Sequence, residues 1–277
     1  MPVPRQFPVA AVLAAASAAL VPSVADAATL TGTVVGRPSV AGQRIVVPVL
    51  LSAGGEKAAG AALARVVVPR TGGLRAPNVR LKPDDLRIGD RVTAAVPRVT
   101  ARPQARTLRI TRRSATPSFA RMDSQRTTVT AGVKRGIAQA QKIIAAPTSV
   151  LDPDRPAASN FELREQLRSV RTDLNLLIAD LRTTGAGLDA AVTQIVASRP
   201  AKGARRAAVE RQQAKVLAGL GADATSARDA AKALDDAVAE LDEAMNAVGT
   251  PSAEPLPVEG VTAVSSVLYA ILDLLRG

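Results

Sequence analysis

The stretch Leu163-Arg-Glu-Gln-Leu167-Arg-Ser-Val170-Arg-Thr-Asp-Leu174-Asn-Leu-Leu177-Ile-Ala-Asp-Leu181 repeats an apolar residue at alternating steps of four and three. That spacing keeps one narrow apolar stripe on a helix and predicts a coiled-coil seam. The stripe continues through Thr184, Leu188, Ala191 and Ile195. A second stripe of the same spacing runs through Leu217, Leu220, Ala224, Ala227, Ala231, Leu234, Val238, Leu241, Met245 and Val248, faltering upstream at Gln213. Two helical arms are therefore expected, over 159–197 and 203–248.

The punctuation agrees. Ser159 followed by Glu162 reads as a capping box, and Gly249 with Pro251 beyond it reads as a helix stop. Between the arms, Ser198-Arg-Pro-Ala-Lys-Gly203 has room only for a reversal, so the arms should lie antiparallel. Sliding one stripe along the other gives an alignment with Leu163 opposite Met245, Leu167 opposite Leu241, Leu174 opposite Leu234 and Leu181 opposite Ala227. It also places Arg164 near Asp242, Arg171 near Asp235 and Gly185 near Gly221. Exposed pairs of this kind contribute about 0.2–1 kcal/mol each, whereas a buried leucine contributes roughly 1.5–3 kcal/mol, so the seam must hold the fold. Gly185, Gly187, Gly219 and Gly221 mark either a close approach of the arms or tolerated glycines in an alanine-rich helix.

Outward from the hairpin, the chain changes character. Between 28 and 135 there are 20 Lys and Arg against 5 Asp and Glu, and between 136 and 277 there are 15 against 18. The basic half contains Thr29–Val35, Arg44–Leu51, Ala61–Val68, Arg91–Val99 and Thr107–Arg112, β-branched runs separated by Gly, Pro and Asn that read as short strands of a barrel or sandwich. Leu81-Lys-Pro-Asp-Asp-Leu-Arg-Ile-Gly89-Asp90-Arg-Val92-Thr93 is similar to the Leu-x-x-Gly-Asp-x-Val turn that opens a strand in many OB-like and SH3-like barrels. The resemblance implies a turn at Gly89 and Asp90, with Val92 returning to the core.

An excess of arginine attracts anions, and Arg98, Arg102, Arg106, Arg109, Arg112 and Arg113 are the candidate polyanion-binding residues. No aromatic residue occurs from 28 to 118, so stacking on bases is not on offer. The competing reading is a set of solvated strand faces.

Before the basic half, Arg5, an apolar run from Val9 to Val21 and Ala25-Asp26-Ala27 form a signal-peptide pattern, with cleavage expected after Ala27. The chain has no Cys, His or Trp, which excludes disulfides and His/Cys zinc sites as sources of stability. Its alanine- and arginine-rich composition resembles that of secreted proteins of high-GC bacteria.

After the basic half, Asp123–Ile144 carries helical spacing at Val129, Val133, Ile137, Ala140 and Ile144, followed by a proline-punctuated loop from Ala146 to Pro156. This helix would pack beside the hairpin as a further member of a bundle. The linker 250–260 leads to an apolar helix over 261–276, free to dock on the bundle, join a second copy or touch a membrane surface. Leu256-Pro257-Val258-Glu259-Gly260 with the apolar run behind it resembles a cell-wall sorting signal, but Glu259 stands where that motif has the threonine at which the acyl-enzyme forms.

No Gly-x-Ser-x-Gly elbow, phosphate-binding glycine loop or dinucleotide fingerprint is present. Asp235-Asp236 and Asp242-Glu243 lie side by side on a helix and point apart, and Asp152-Pro-Asp154 reads as a turn or a calcium hint. No catalytic, metal-binding or cofactor-binding residue is expected.

The sequence thus predicts an α+β protein: a signal peptide at 1–27, a basic β module (28–116; barrel or sandwich, OB- or SH3-like), and a helical region (117–249; three- or four-helix bundle with the antiparallel hairpin). The expected role is that of a non-enzymatic, secreted or cell-envelope protein making protein contacts or self-associating through the hairpin and C-terminal helix. The alternative is a polyanion-binding module for wall polymer, anionic membrane or nucleic acid. Periplasmic adaptor proteins also combine β modules with a hairpin, but there strands follow the hairpin, and none is expected after Gly249.

Overall fold

The computed structural model describes residues 28–77, 79–150 and 159–254, together with 259, 262, 265–267, 269, 270 and 273. The expected signal peptide and residues 151–156 of the expected loop lie outside the described residues, as does most of the expected C-terminal helix, whose described residues are helical.

The basic half folds as strands β1 (Ala28–Val34), β2 (Ser39–Ala41), β3 (Arg44–Leu51), β4 (Leu63–Pro69), β5 (Leu74–Ala76), β6 (Val79–Arg80), β7 (Arg91–Val96) and β8 (Leu108–Arg112), with a short helix α1 (Ala53–Ala59). They form one curled half-barrel sheet in the order β2-β3-β1-β7-β8-β5-β6, with β4 on the far edge of β3. Strand β5 runs parallel to β8; the other pairs are antiparallel. The run Ile45, Val47, Val49, Leu51 alternates inward with Leu30, Val66, Val92, Val96 and Leu108, and all are buried. Pro48 falls between the residues of β3 that pair with β2 (Arg44, Ile45, Val46) and those that pair with β1 (Val49, Leu50, Leu51), an interval where a missing N–H interrupts neither ladder. The free edge of β4 is met by the chain between β7 and β8: Arg65 and Val67 N–H donate to the Ala101 and Pro103 carbonyls at 2.8 and 2.9 Å.

The Gly89-Asp90 turn forms as the resemblance implied. Gly89 has φ 91°, and Val92 enters the core. Asp90 is 0% exposed, and its carboxylate accepts from Arg87 N (3.0 Å), Ser114 N (2.8 Å) and Arg113 Nη1 (3.1 Å). It therefore locks the turn before β7 to the end of β8, and its burial is matched by three donors.

The helical region holds α2 (Phe119–Val150), α3 (Asn160–Ala197) and α4 (Ala204–Ala247). The capping box at Ser159 and Glu162 is formed in both directions, and Gly203 (φ 86°) begins the return arm. Leu163, Leu167, Leu174, Leu177, Leu181, Leu188 and Ile195 are buried against Leu220, Ala224, Ala227, Ala231, Leu234, Leu241 and Met245. The expected stripes are thus the seam. Gln213, where the second stripe faltered, is nevertheless 0% exposed: its Oε1 accepts from Arg199 Nε at 2.9 Å, so the seam continues through a polar position to Val209.

The expected flanking ion pairs are displaced. Arg171 pairs with Asp242 (2.8 Å), Arg182 with Asp235 and Arg228 with Asp189, while Arg164 donates to the carbonyls of Met245 and Gly249. The cause is side-chain direction. Every helical Cα–Cβ bond leans toward its own N-terminus, so in antiparallel helices residues beyond the level position converge and those short of it diverge. Gly185 likewise faces Ala227, where a Cβ on the glycine would lie 3.3 Å from the alanine Cβ, while Gly221 has nothing within 4 Å. Gly187 instead faces Gln125 of α2.

Helix α2 begins four residues before the expected start and runs through Pro147 to Val150, into the stretch expected to be loop. Pro147 has no N–H for the carbonyl four residues back, and the helix carries that lost hydrogen bond in its last turn. Gly132 and Gly136 let α2 approach α3: a Cβ at Gly136 would sit 2.7 Å from Leu177 Cδ2, and one at Gly132 would sit 3.2 Å from Leu177 Cδ1.

The bend of the hairpin is seated on the sheet. Arg205 donates to the Leu51 carbonyl (2.5 Å) and lies 3.3 Å from Glu56, and Val209 packs with Val35 and Leu50. From the other side, Phe119 at the head of α2 is buried in the sheet's core beneath Arg37, whose guanidinium lies 5.7 Å from the ring centroid. Arg37 pairs with Asp123 and Asp84, and the hydrogen bond to Asp123 holds its guanidinium above its ordinary pKa. One apolar cluster runs without a break from Leu30 through Phe119 and Met122 to Leu188 and Leu220.

Candidate anion-binding face

The six arginines singled out from the sequence do not form one patch. Arg113 is tied to Asp90 and to the Asp85 carbonyl (2.9 Å), so it serves the turn. Arg98 is exposed in the turn after β7. Arg102 and Arg106 sit at the end of the half-barrel, lining adjoining clefts. Only Arg109 and Arg112 lie on the outward face of the sheet.

That face gathers arginines the sequence reading did not select. Thr31 pairs with Thr93, Thr93 with Arg109, Arg109 with Arg75, and Arg75 with Arg80, a lateral row across β1, β7, β8, β5 and β6. Adjacent strands are about 4.8 Å apart, so the three arginine backbones span roughly 10 Å. A second pair extends the face. Val92 pairs with Ile110, but Arg91 pairs with Arg112, because a bulge inserts Thr111 between them. In an unbulged strand Arg109 and Arg112 would point to opposite faces; the extra residue turns Arg112 to the same side as Arg109, opposite Arg91.

Arg75, Arg80, Arg91, Arg109 and Arg112 are all exposed, and among the described residues none has an ion pair with a carboxylate. Arg75 Nε donates only to the Gly72 carbonyl, at 3.4 Å. Like charges directly opposite across a sheet are destabilising, by an amount comparable with the ~0.2–1 kcal/mol that favourable cross-strand pairs contribute. The arrangement is relieved by any anion lying along the row. Chemically it can do one thing well, which is to bind phosphate or carboxylate groups through forked N–H donors.

The signal that could have exposed the row was the strand register. Arg75 and Arg80 flank Pro77 and Asn78, which read from sequence as a turn between strands, whereas β5 and β6 are three- and two-residue strands on either side of it. Comparison with known proteins finds no matching protein family, no matching curated protein and no matching solved structure.

Proposed function

We propose that this protein is a non-enzymatic, exported, cell-envelope protein that holds a polyanionic polymer on the arginine-bearing face of its β half. The observation that carries this reading is the row Arg109, Arg75, Arg80, with Arg91 and Arg112 beside it, unpaired among the described residues on neighbouring strands. The β half, read as a small OB- or SH3-like barrel, would present the face. The helices, read as a three-member bundle with a further helix from the C-terminal segment, would be the rigid support to which the bend of the hairpin fixes it.

The lack of aromatic residues from 28 to 118 favours charge recognition of a polymer backbone over stacking on bases. Export rests on the signal-peptide pattern of residues 1–27. A second reading, protein contact through the hairpin, is favoured by Phe161 and Leu176 of α3, whose apolar side chains are more than half exposed.

The test is titration with inorganic polyphosphate across a salt series. With five arginines engaged, affinity should fall on the order of 10²-fold between 50 and 200 mM salt. Arg75→Gln with Arg109→Gln should flatten that dependence, and the hairpin control Arg168→Gln with Arg171→Gln should leave it unchanged. Binding that ignores salt, or that responds equally to both variants, would remove the reading.

A further inference from the structure

At the end of the half-barrel, where β3 and β4 meet the chain entering β8, two clefts of about 570 and 300 Å³ adjoin one another. They share Arg44, Val67 and Gln104; Arg106 lines the larger and Arg102 the smaller. None of these three arginines has an ion pair or side-chain hydrogen bond among the described residues, and no carboxylate lines either cleft. The remaining lining of the larger cleft is largely apolar and includes Val67, Val68, Val96 and Pro97.

This is different chemistry from the sheet face. The face is an open row of charge, suited to an extended chain, whereas the cleft is concave and lined by apolar residues together with arginines. A purely ionic ligand would leave the valines and proline in water, and a purely apolar one would leave three guanidiniums without counter-charge. Concave, mostly apolar sites with a few convergent polar groups, in the range of about 300–1,000 Å³, are typical of small-molecule binding. Arginine's planar fork matches the oxygens of a carboxylate or phosphate.

We propose that this cleft binds an anionic amphiphile, with its carboxylate or phosphate held by Arg44, Arg102 and Arg106 and its apolar chain laid over Val67, Val68 and Val96. The site is independent of the polyanion reading, since neither Arg44 nor Arg102 nor Arg106 belongs to the row on the sheet face.

Calorimetry with the full mature chain provides the test, using dodecyl phosphate and dodecanoate below their micellar concentrations as probes. Both should bind at a stoichiometry of one, and inorganic phosphate and dodecyl maltoside should each bind at least tenfold more weakly. Arg44→Gln with Arg106→Gln should weaken both probes by tenfold or more. Among the described residues these arginines have no partners to lose, so the melting temperature should stay put. Ala95→Phe, which fills the larger cleft from an exposed wall position, should abolish binding while leaving the fold intact.

Vesicles of phosphatidylglycerol distinguish a bilayer source from monomeric ligand. Vesicle binding lost in the same arginine variant means the headgroup is taken from a membrane, and binding of the monomers alone means a free amphiphile. Arg75→Gln with Arg109→Gln should leave the binding of both monomeric probes unchanged, so loss of polyphosphate binding and loss of monomer binding separate cleanly. Equal binding of the neutral detergent, or undiminished binding by either cleft variant, would overturn the proposal.

Discussion

The two halves use the same residue in opposite ways. On the helices, arginines find carboxylates: Arg126 pairs with Asp223, Arg171 with Asp242, Arg182 with Asp235 and Arg228 with Asp189, each bridging two helices. On the sheet, Arg75, Arg80, Arg91, Arg109 and Arg112 face one another without an acidic partner among the described residues. The arginines of the hairpin bias how its own arms align, whereas these five on the sheet face have no carboxylate partner among the described residues and can meet something outside the chain. Net charge alone does not teach this; the distinction lies in whether the carboxylates are within reach.

The largest test of the comparison is the seam between the two arms of the hairpin. Leu181→Ala, which truncates a side chain 2% exposed, should destabilise by about 2–5 kcal/mol in denaturant unfolding. Leu176→Ala, at 64% exposure five residues before it, should stay within about 0.5 kcal/mol of the parent. Equal losses would mean that the arms do not meet through the predicted stripe.

Next in size is the link between the turn and β8. Asp90→Ala leaves two backbone N–H groups and the Arg113 guanidinium without their acceptor, and should cost about 2–3 kcal/mol in the same measurement. Arg113→Ala should cost less, because the two backbone donors keep their partner. Were Arg113 a member of the proposed anion-binding face, this variant would weaken polyphosphate binding; tied to Asp90, it should not.

Smaller effects of opposite sign separate two kinds of helical glycine. Gly136→Ala drives a methyl group to 2.7 Å from Leu177, and overpacking of about 1–3 kcal/mol should exceed the gain of roughly 1 kcal/mol in helix propensity. At Gly221, where nothing lies within 4 Å, the same change should stabilise by about 0.4–1 kcal/mol. Thermal melts of the two variants should therefore move in opposite directions.

The smallest effect sharpens the contrast itself. A double-mutant cycle on Arg171 and Asp242 should return about 0.2–1 kcal/mol of favourable coupling, since both groups are over 40% exposed. A cycle on Arg75 and Arg109 should return coupling of the opposite sign and similar size at low salt, vanishing as salt rises.

Much of the fold was legible because its signals are local. The seam, the Ser159 capping box and the bounds of β3 follow from residues within a turn or two of one another, and each is found where the sequence placed it. Strands β2, β5 and β6 escaped because two or three residues carry no period, and α1 because Gly54 and Gly55 hide a helix held by the Ser52 cap and Gly60. Gln213 broke a pattern of apolar residues yet not the seam, since burial was made tolerable by Arg199, which the turn brings back alongside.

Of the candidate site, the abundance of arginine was visible and its arrangement was not. Arg109 and Arg112 lie on the shared sheet face, Arg113 is a structural partner of Asp90, and Arg44, Arg75, Arg80 and Arg91 had no sequence feature to single them out. The displaced ion pairs of the hairpin make the same point, since a correct stripe alignment still misassigned partners once long side chains leaned along the axis.

By itself, then, the sequence determined the two helical arms and their antiparallel return, because a helix's apolar face is written by spacing within one continuous segment. Only the tertiary structure decided which arginines share a surface. In a sheet, neighbours come from strands far apart in the chain, and a single inserted residue, here Thr111, moves a side chain from one face to the other.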